Sequence, residues 1–206
     1  MSNKNNKLNI LNLEYWANGK SNIKFENVNL PDYSDVFEAI DTGCLIGYVK
    51  ELVYDEVNND ESCKEAIPFM QYLHNQGVFY FDYDLALFYL EGKIIKKDGA
   101  LAIELLKGLA SEPYNDAMSM RKLGDCYQYG DGTAINPREA IKWYESGAVY
   151  GDELAALNAG VIYARGLGEI KPNFKKSKLY LRQIKDNKEY KKIAKEWLFN
   201  IAKMIP

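Results

Sequence analysis

A ten-residue pattern recurs in this chain at a fixed distance. Leu123–Gly132 reads LGDCYQYGDG and Ala159–Gly168 reads AGVIYARGLG, so Gly124, Tyr127, Gly130 and Gly132 match Gly160, Tyr163, Gly166 and Gly168, each 36 residues on. The segments that follow also align, NPREAIKWY from Asn136 with NFKKSKLYL from Asn173, at 37 residues because the loop gains one. Upstream, LALFYLEG from Leu85 lies 38 residues before LGDCYQYG, and DGALAIELLKGLA follows it from Asp98. Self-similarity at this period restricts a chain to stacked supersecondary units, because one unit cannot bury its apolar face without a neighbour.

Each unit reads as a helix, a glycine-containing turn and a second helix. Asn136 is an N-cap with Pro137 at the first helical position and Glu139 placed for a capping box. Asp98, Asn115 or Asp116, Asp152 and Asn173 mark further helix starts, and Gly77 and Gly151 mark stops. These signals predict repeats over 78–114, 115–151 and 152–187, preceded by a degenerate unit over 34–77. Pro68 falls inside the helix that Ser62 and Glu65 open, which predicts a kink or a late helix start. Residues 1–30 contain nine asparagines and no helical period, so they read as an irregular arm ahead of a repeat domain over 31–206. The segment 188–206 is amphipathic and reads as a capping helix.

Few residues offer chemistry. A single histidine, His74, excludes multi-histidine metal sites, and its place in a last helical turn predicts a surface or capping role. Cys63 is 11 residues upstream of it, three turns away, so the two do not form a nucleophile pair. Cys44, Cys63 and Cys126 show no CxxC and no metal-ligand spacing. Gly130-Asp131-Gly132 and Gly166-Leu167-Gly168 follow no strand and lack the lysine or third glycine of a phosphate loop, so they read as turn glycines. No catalytic, cofactor-binding or metal-binding residue is assigned. With no secretory apolar run and no stretch near 18 apolar residues, a cytoplasmic protein is expected.

The sequence L-G-x-x-Y-x-x-G-x-G followed by A-x-x-W-Y-x-x-x-A-x-x-G resembles the Sel-one-like repeat family, a branch of the tetratricopeptide-like helical repeats. Leu123, Gly124, Tyr127, Gly130, Gly132, Ala140, Trp143, Tyr144, Ala148 and Gly151 carry the resemblance. Ala86 and Ile94 replace glycines in the preceding unit, and Ser177 and Tyr180 stand for Ala140 and Trp143 in the following one. The resemblance implies an all-α, right-handed αα superhelical solenoid of three to four repeats, with the arm and cap at its ends. In the related tetratricopeptide arrangement the groove is lined by positions nine, six and two before the signature tyrosine and one and two after it. Carried onto this chain, that predicts Tyr80, Tyr83, Leu87, Leu90 and Glu91; Met118, Arg121, Asp125, Gln128 and Tyr129; and Leu154, Leu157, Val161, Ala164 and Arg165. Aromatics, methionine and arginine are the residues favoured at interface hot spots.

The net charge of −3 conceals segregation. Residues 171–206 hold 11 Lys or Arg against 3 Asp or Glu, whereas residues 1–170 hold 15 against 26. Residues 31–62 carry nine acids and one lysine, enough to steer a basic partner. The expected function is therefore non-catalytic protein binding, as an adaptor or as an immunity or inhibitor protein for a basic toxin or other effector. Neither nucleic acid nor membrane is an expected partner; an enzyme with an unrecognised groove site is the rival reading.

Overall fold

The structure, a computed structural model, describes residues 42–54 and 60–204. The arm expected over 1–30 and the start of the degenerate unit lie outside the described residues. The described chain is ordered as α1 Thr42–Tyr54, α2 Asp60–Asn75, α3 Asp82–Glu91, α4 Gly99–Ala110, α5 Ala117–Tyr129, α6 Pro137–Val149, α7 Glu153–Arg165, α8 Phe174–Leu181 and α9 Lys188–Met204. Among the described residues no strand forms; Leu167 and Ile170 make one isolated bridge. The fold is all-α, as the repeat period predicts. Two compact units divide between residues 114 and 115, where one repeat gives way to the next.

The helix starts follow from side-chain caps. Asp98 accepts from Leu101 N–H (3.0 Å), Asp116 from Ser119 (2.7 Å), Asn136 from Arg138 and Glu139 (3.1 and 3.2 Å), Asp152 from Ala155 (2.7 Å) and Asn173 from Lys176 (3.0 Å). Each satisfies backbone donors that the helix cannot, typically worth about 1 kcal/mol. A second bond closes the turn within each of the three repeats over 78–187. The N–H of Asp98, Asn136 and Asn173 donates to the carbonyl of Tyr89, Tyr127 and Tyr163, at 3.1, 2.8 and 2.6 Å. The signature tyrosine thus fixes the hairpin through its backbone while its ring packs between helices. Gly130 ends α5 at φ +80, a left-handed position that only glycine adopts without strain.

In the first unit α1 packs on α2, α2 on α3 and α3 on α4, around Val49, Phe69, Leu73, Phe81, Leu85 and Leu105. Two expectations change here. His74 is not at the surface: it is 2% exposed, its Nδ1 lies 2.8 Å from Oδ2 of the equally buried Asp82, and its ring meets Phe79 edge-on. The turn after α2 folds α3 back so that the first residue of α3 reaches the last turn of α2. Pro68 does not delay α2, which begins at Asp60 and runs through it. The carbonyl that loses its donor belongs to Lys64, an exposed position of the helix.

In the second unit α5 pairs with α6 and α7 with α8, while α9 packs on both α7 and α8. Gly124 and Gly160 make these crossings close. A methyl group on Gly124 would lie 2.6 Å from the ring of Tyr144, and one on Gly160 would lie 2.7 Å from Leu181. The start of α9 is held by Glu153, whose carboxylate accepts from the N–H groups of Lys185, Asp186 and Asn187 at 2.5 to 2.8 Å. Backbone donors of Asp186, Asn187 and Lys185 hold the Glu153 carboxyl below its usual range. Its contribution is therefore present above the ordinary glutamate range and lost as pH falls through the lowered value. Replacing Glu153 with alanine is expected to speed hydrogen exchange at amides 185–187 and along α9, at neutral pH, with the first unit unchanged; unchanged exchange would show that α9 is held by its apolar face alone.

Candidate functional site

The predicted lining residues separate by burial. In the first unit Tyr80 and Glu91 are exposed, Tyr83 and Leu87 are half-buried, and Leu90 is in the core. Tyr80 packs edge-on against Phe81 with a centroid separation of 4.9 Å, and Lys50 Nζ sits 4.4 Å above the Tyr80 ring. Tyr54 stacks on Phe81 at 6.4 Å and donates its hydroxyl to Asp84. Burial, and then the bond to Asp84, keeps the Tyr54 phenol protonated well past its ordinary range. Tyr54, Lys50 and Asp84 join this surface although the spacing rule does not select them; two of them come from α1, which that rule does not cover.

In the second unit α5 supplies the site. Met118 and Tyr129 are 50% and 69% exposed, and 11 residues apart they share a helix face. Between them Arg121 Nε donates to Asp152 Oδ2 at 3.0 Å, its Nη1 lies 3.8 Å from Asp125 Oδ2, and the Tyr144 hydroxyl donates to Asp125 Oδ1 at 2.6 Å. Asp152 also caps α7, so one carboxylate serves a helix start and an arginine from the preceding repeat. Arg121 and Asp125 are therefore part of the internal framework joining α5 to α6 and to the start of α7. Burial, followed by the bond to Asp125, pushes the Tyr144 phenol far above its ordinary value, so the network holds a proton rather than releasing one.

The third predicted set is largely internal. Leu157 is 6% exposed and Ala164 is buried, in the same cluster as Ala194 and Ile201 of α9; Leu154 and Val161 pack against that cluster. Leu157 is consequently not offered to a partner. The repeat over 152–187 is followed by α9, which packs on α7. Arg165, at the end of α7, is exposed. Nearby, one oxygen of Glu145 accepts from Tyr163 (2.8 Å), Tyr180 (2.9 Å) and Lys176 (3.2 Å), tying α6 to α7 and α8. Burial and then the Glu145 bond raise the Tyr180 phenol to about 12, again away from reactivity.

Among the described residues no group of three or more His, Cys, Asp or Glu is placed to hold a metal ion. Among them, too, no helix is long and apolar enough to cross a membrane. Comparison with known proteins extends the repeat register. The Sel1 repeat family model matches residues 81–110, 117–148 and 154–187. No curated protein matches. Among solved structures, a protective antigen of uropathogenic Escherichia coli displaying an SLR fold superposes with TM-score 0.60 at 20% identity, covering 76% of this chain and 33% of that one. A Sel1 repeat protein from Oxalobacter formigenes gives TM-score 0.54 at 21% identity, covering 69% of this chain and 54% of that one. The chain thus spans about a third to half of those proteins. Sel1 repeats generally mediate protein–protein interaction. Three consecutive matched repeats, each closed by the same tyrosine-carbonyl bond, make this chain a member of the Sel1-like repeat family.

Proposed function

We propose that this chain is a non-catalytic protein-recognition module whose contact surface in the second unit is the exposed face of α5. The observation that carries this reading is the exposure of Met118 and Tyr129 beside a fixed polar base of Arg121, Asp125, Tyr144 and Asp152. Exposed aromatic and thioether groups offer apolar contact, and a base already hydrogen-bonded loses little freedom when a partner arrives. Gln128 and Arg165 supply polar contacts in this unit, and Tyr80, Tyr83, Leu87 and Glu91 serve in the first.

The partner is a basic protein, matched to the acidic surplus of residues 1–170. The specific form of this reading is an immunity or inhibitor protein that captures a basic toxin. Co-expression with the products of adjacent genes tests it: a stable complex with a basic effector, and loss of the effector's toxicity, are expected. No complex with any neighbour would leave the adaptor reading alone.

Within such a complex Tyr129→Ala is expected to weaken affinity about tenfold or more, or ~1.4 kcal/mol, measured by calorimetry, with no change in thermal midpoint because the ring is mostly in solvent. Arg121→Ala is a poor substitute, since it also removes a tie between repeats. If Tyr129→Ala, Met118→Ala and Tyr80→Ala all bind as the wild type does, the surface has been misplaced.

A further inference from the structure

The outward side of α9 carries charge of one sign. Lys188, Lys192, Lys195, Phe199 and Lys203 are all exposed and follow one another at intervals of four, three, four and four, forming one row on the helix. At 1.5 Å per residue the row is about 22 Å long. Phe199 is 61% exposed within it, with Lys203 Nζ 4.2 Å above its ring. Among the described residues no carboxylate lies within ion-pair distance of Lys188, Lys192 or Lys195, although Glu189 and Glu196 share the helix.

Capping alone does not account for this. A terminal helix needs a polar outer face, which mixed charges supply, whereas lysines four apart repel and weaken the helix by a few tenths of a kcal/mol per pair. A large exposed phenylalanine in the row adds apolar surface that a cap does not need. The complement is present in the same chain. The unit Met1–Tyr114 holds 18 acids against 10 lysines, net −8, while Asn115–Pro206 holds 16 basic residues against 11 acids, net +5. Of the acids in the first unit, Glu51, Asp60, Glu61, Glu91, Asp98, Glu104 and Glu112 are exposed.

We propose that the α9 row docks the acidic first unit of a second copy of this chain. The two surfaces differ, so the contact is heterologous and repeats from copy to copy in a head-to-tail series. It uses neither Met118 nor Tyr129 of α5, but it shares the acidic first unit, Glu91 included, with the partner contact proposed above.

Sedimentation velocity of the full chain over a concentration series, at about 50 mM and about 500 mM salt, tests the proposal. The sedimentation coefficient is expected to rise with concentration at low salt and to return to the monomer value at high salt. The triple substitution Lys188→Glu, Lys192→Glu, Lys195→Glu alters only exposed positions and is expected to weaken self-association at least about tenfold, with an unchanged circular dichroism spectrum. Because that variant keeps its acidic unit, adding it to the wild type should shorten the wild-type series by occupying its open row. A wild type that stays monomeric at low salt, or a triple variant that associates as the wild type does, overturns the proposal. So does a monomeric wild type whose row binds an oligonucleotide or anionic vesicles, which would assign it to a polyanion instead.

Discussion

Gly124→Ala is expected to destabilise the second unit by about 2 kcal/mol, although in an open helix interior the same change stabilises by up to ~1 kcal/mol. The contact decides the sign. The added methyl would sit 2.6 Å from the Tyr144 ring, which is fully buried and held at its hydroxyl by Asp125, so the ring cannot swing aside without breaking that bond. Gly108, exposed in α4 with nothing within 4 Å of an added methyl, is the control, and Gly108→Ala should stabilise by roughly 0.5–1 kcal/mol. Urea denaturation of both variants checks the pair. The first matched repeat suggests how to relieve the clash: where Ala86 replaces the glycine, the residue twenty positions on is Leu106, also buried, whereas Gly160 meets its leucine, Leu181, almost as closely as Gly124 meets Tyr144. In a Gly124→Ala, Tyr144→Leu double variant the costs should fall short of the sum of the single variants by about 1 kcal/mol. Strict additivity would mean that the two residues do not compete for space.

The glycines were legible in the sequence because they recur with the period, and the close approach they permit follows from that register. Helix starts were legible for the same reason: Asp98, Asn136 and Asn173 have both the right side chains and the right spacing. Arg121 shows where such reading stops. Its residue type suits an interface, but its partner is 31 residues away at Asp152, a residue whose first duty is to cap α7. One carboxylate oxygen is accounted for by the local motif; the use of the other depends on how two repeats stack. Leu157 fails by a different route. The groove rule assumes that a further repeat continues the array, whereas α9 packs across α7 and a lining position becomes core. Met118 and Tyr129, on α5, remain exposed.

Asp82→Ala should cost about 3 kcal/mol, because it leaves the buried His74 Nδ1 facing a cavity where its partner stood at 2.8 Å. Asp82→Asn keeps a polar group at that distance and should cost less. The two variants also separate the forces acting on the carboxyl. Burial raises the folded-state pKa of Asp82 above its ordinary value, and the hydrogen bond and charge of His74 oppose that rise without cancelling it. A carboxyl with a raised folded pKa binds its proton more tightly in the folded chain. Its favourable contribution is therefore present in acid, and is lost as pH rises from the ordinary aspartate value through the raised one. The stability gap between the wild type and Asp82→Asn should accordingly be widest on the acid side of that window and narrow above it, in urea titrations repeated across pH. A gap that instead widens with rising pH would show that attraction to His74 outweighs desolvation, and that the pair is held as ions. In either case a partner lost from this site has no substitute in water, since the His74 and Asp82 side chains are only 1% and 6% exposed, and that is why a single pair eight residues apart can control the stability of the first unit.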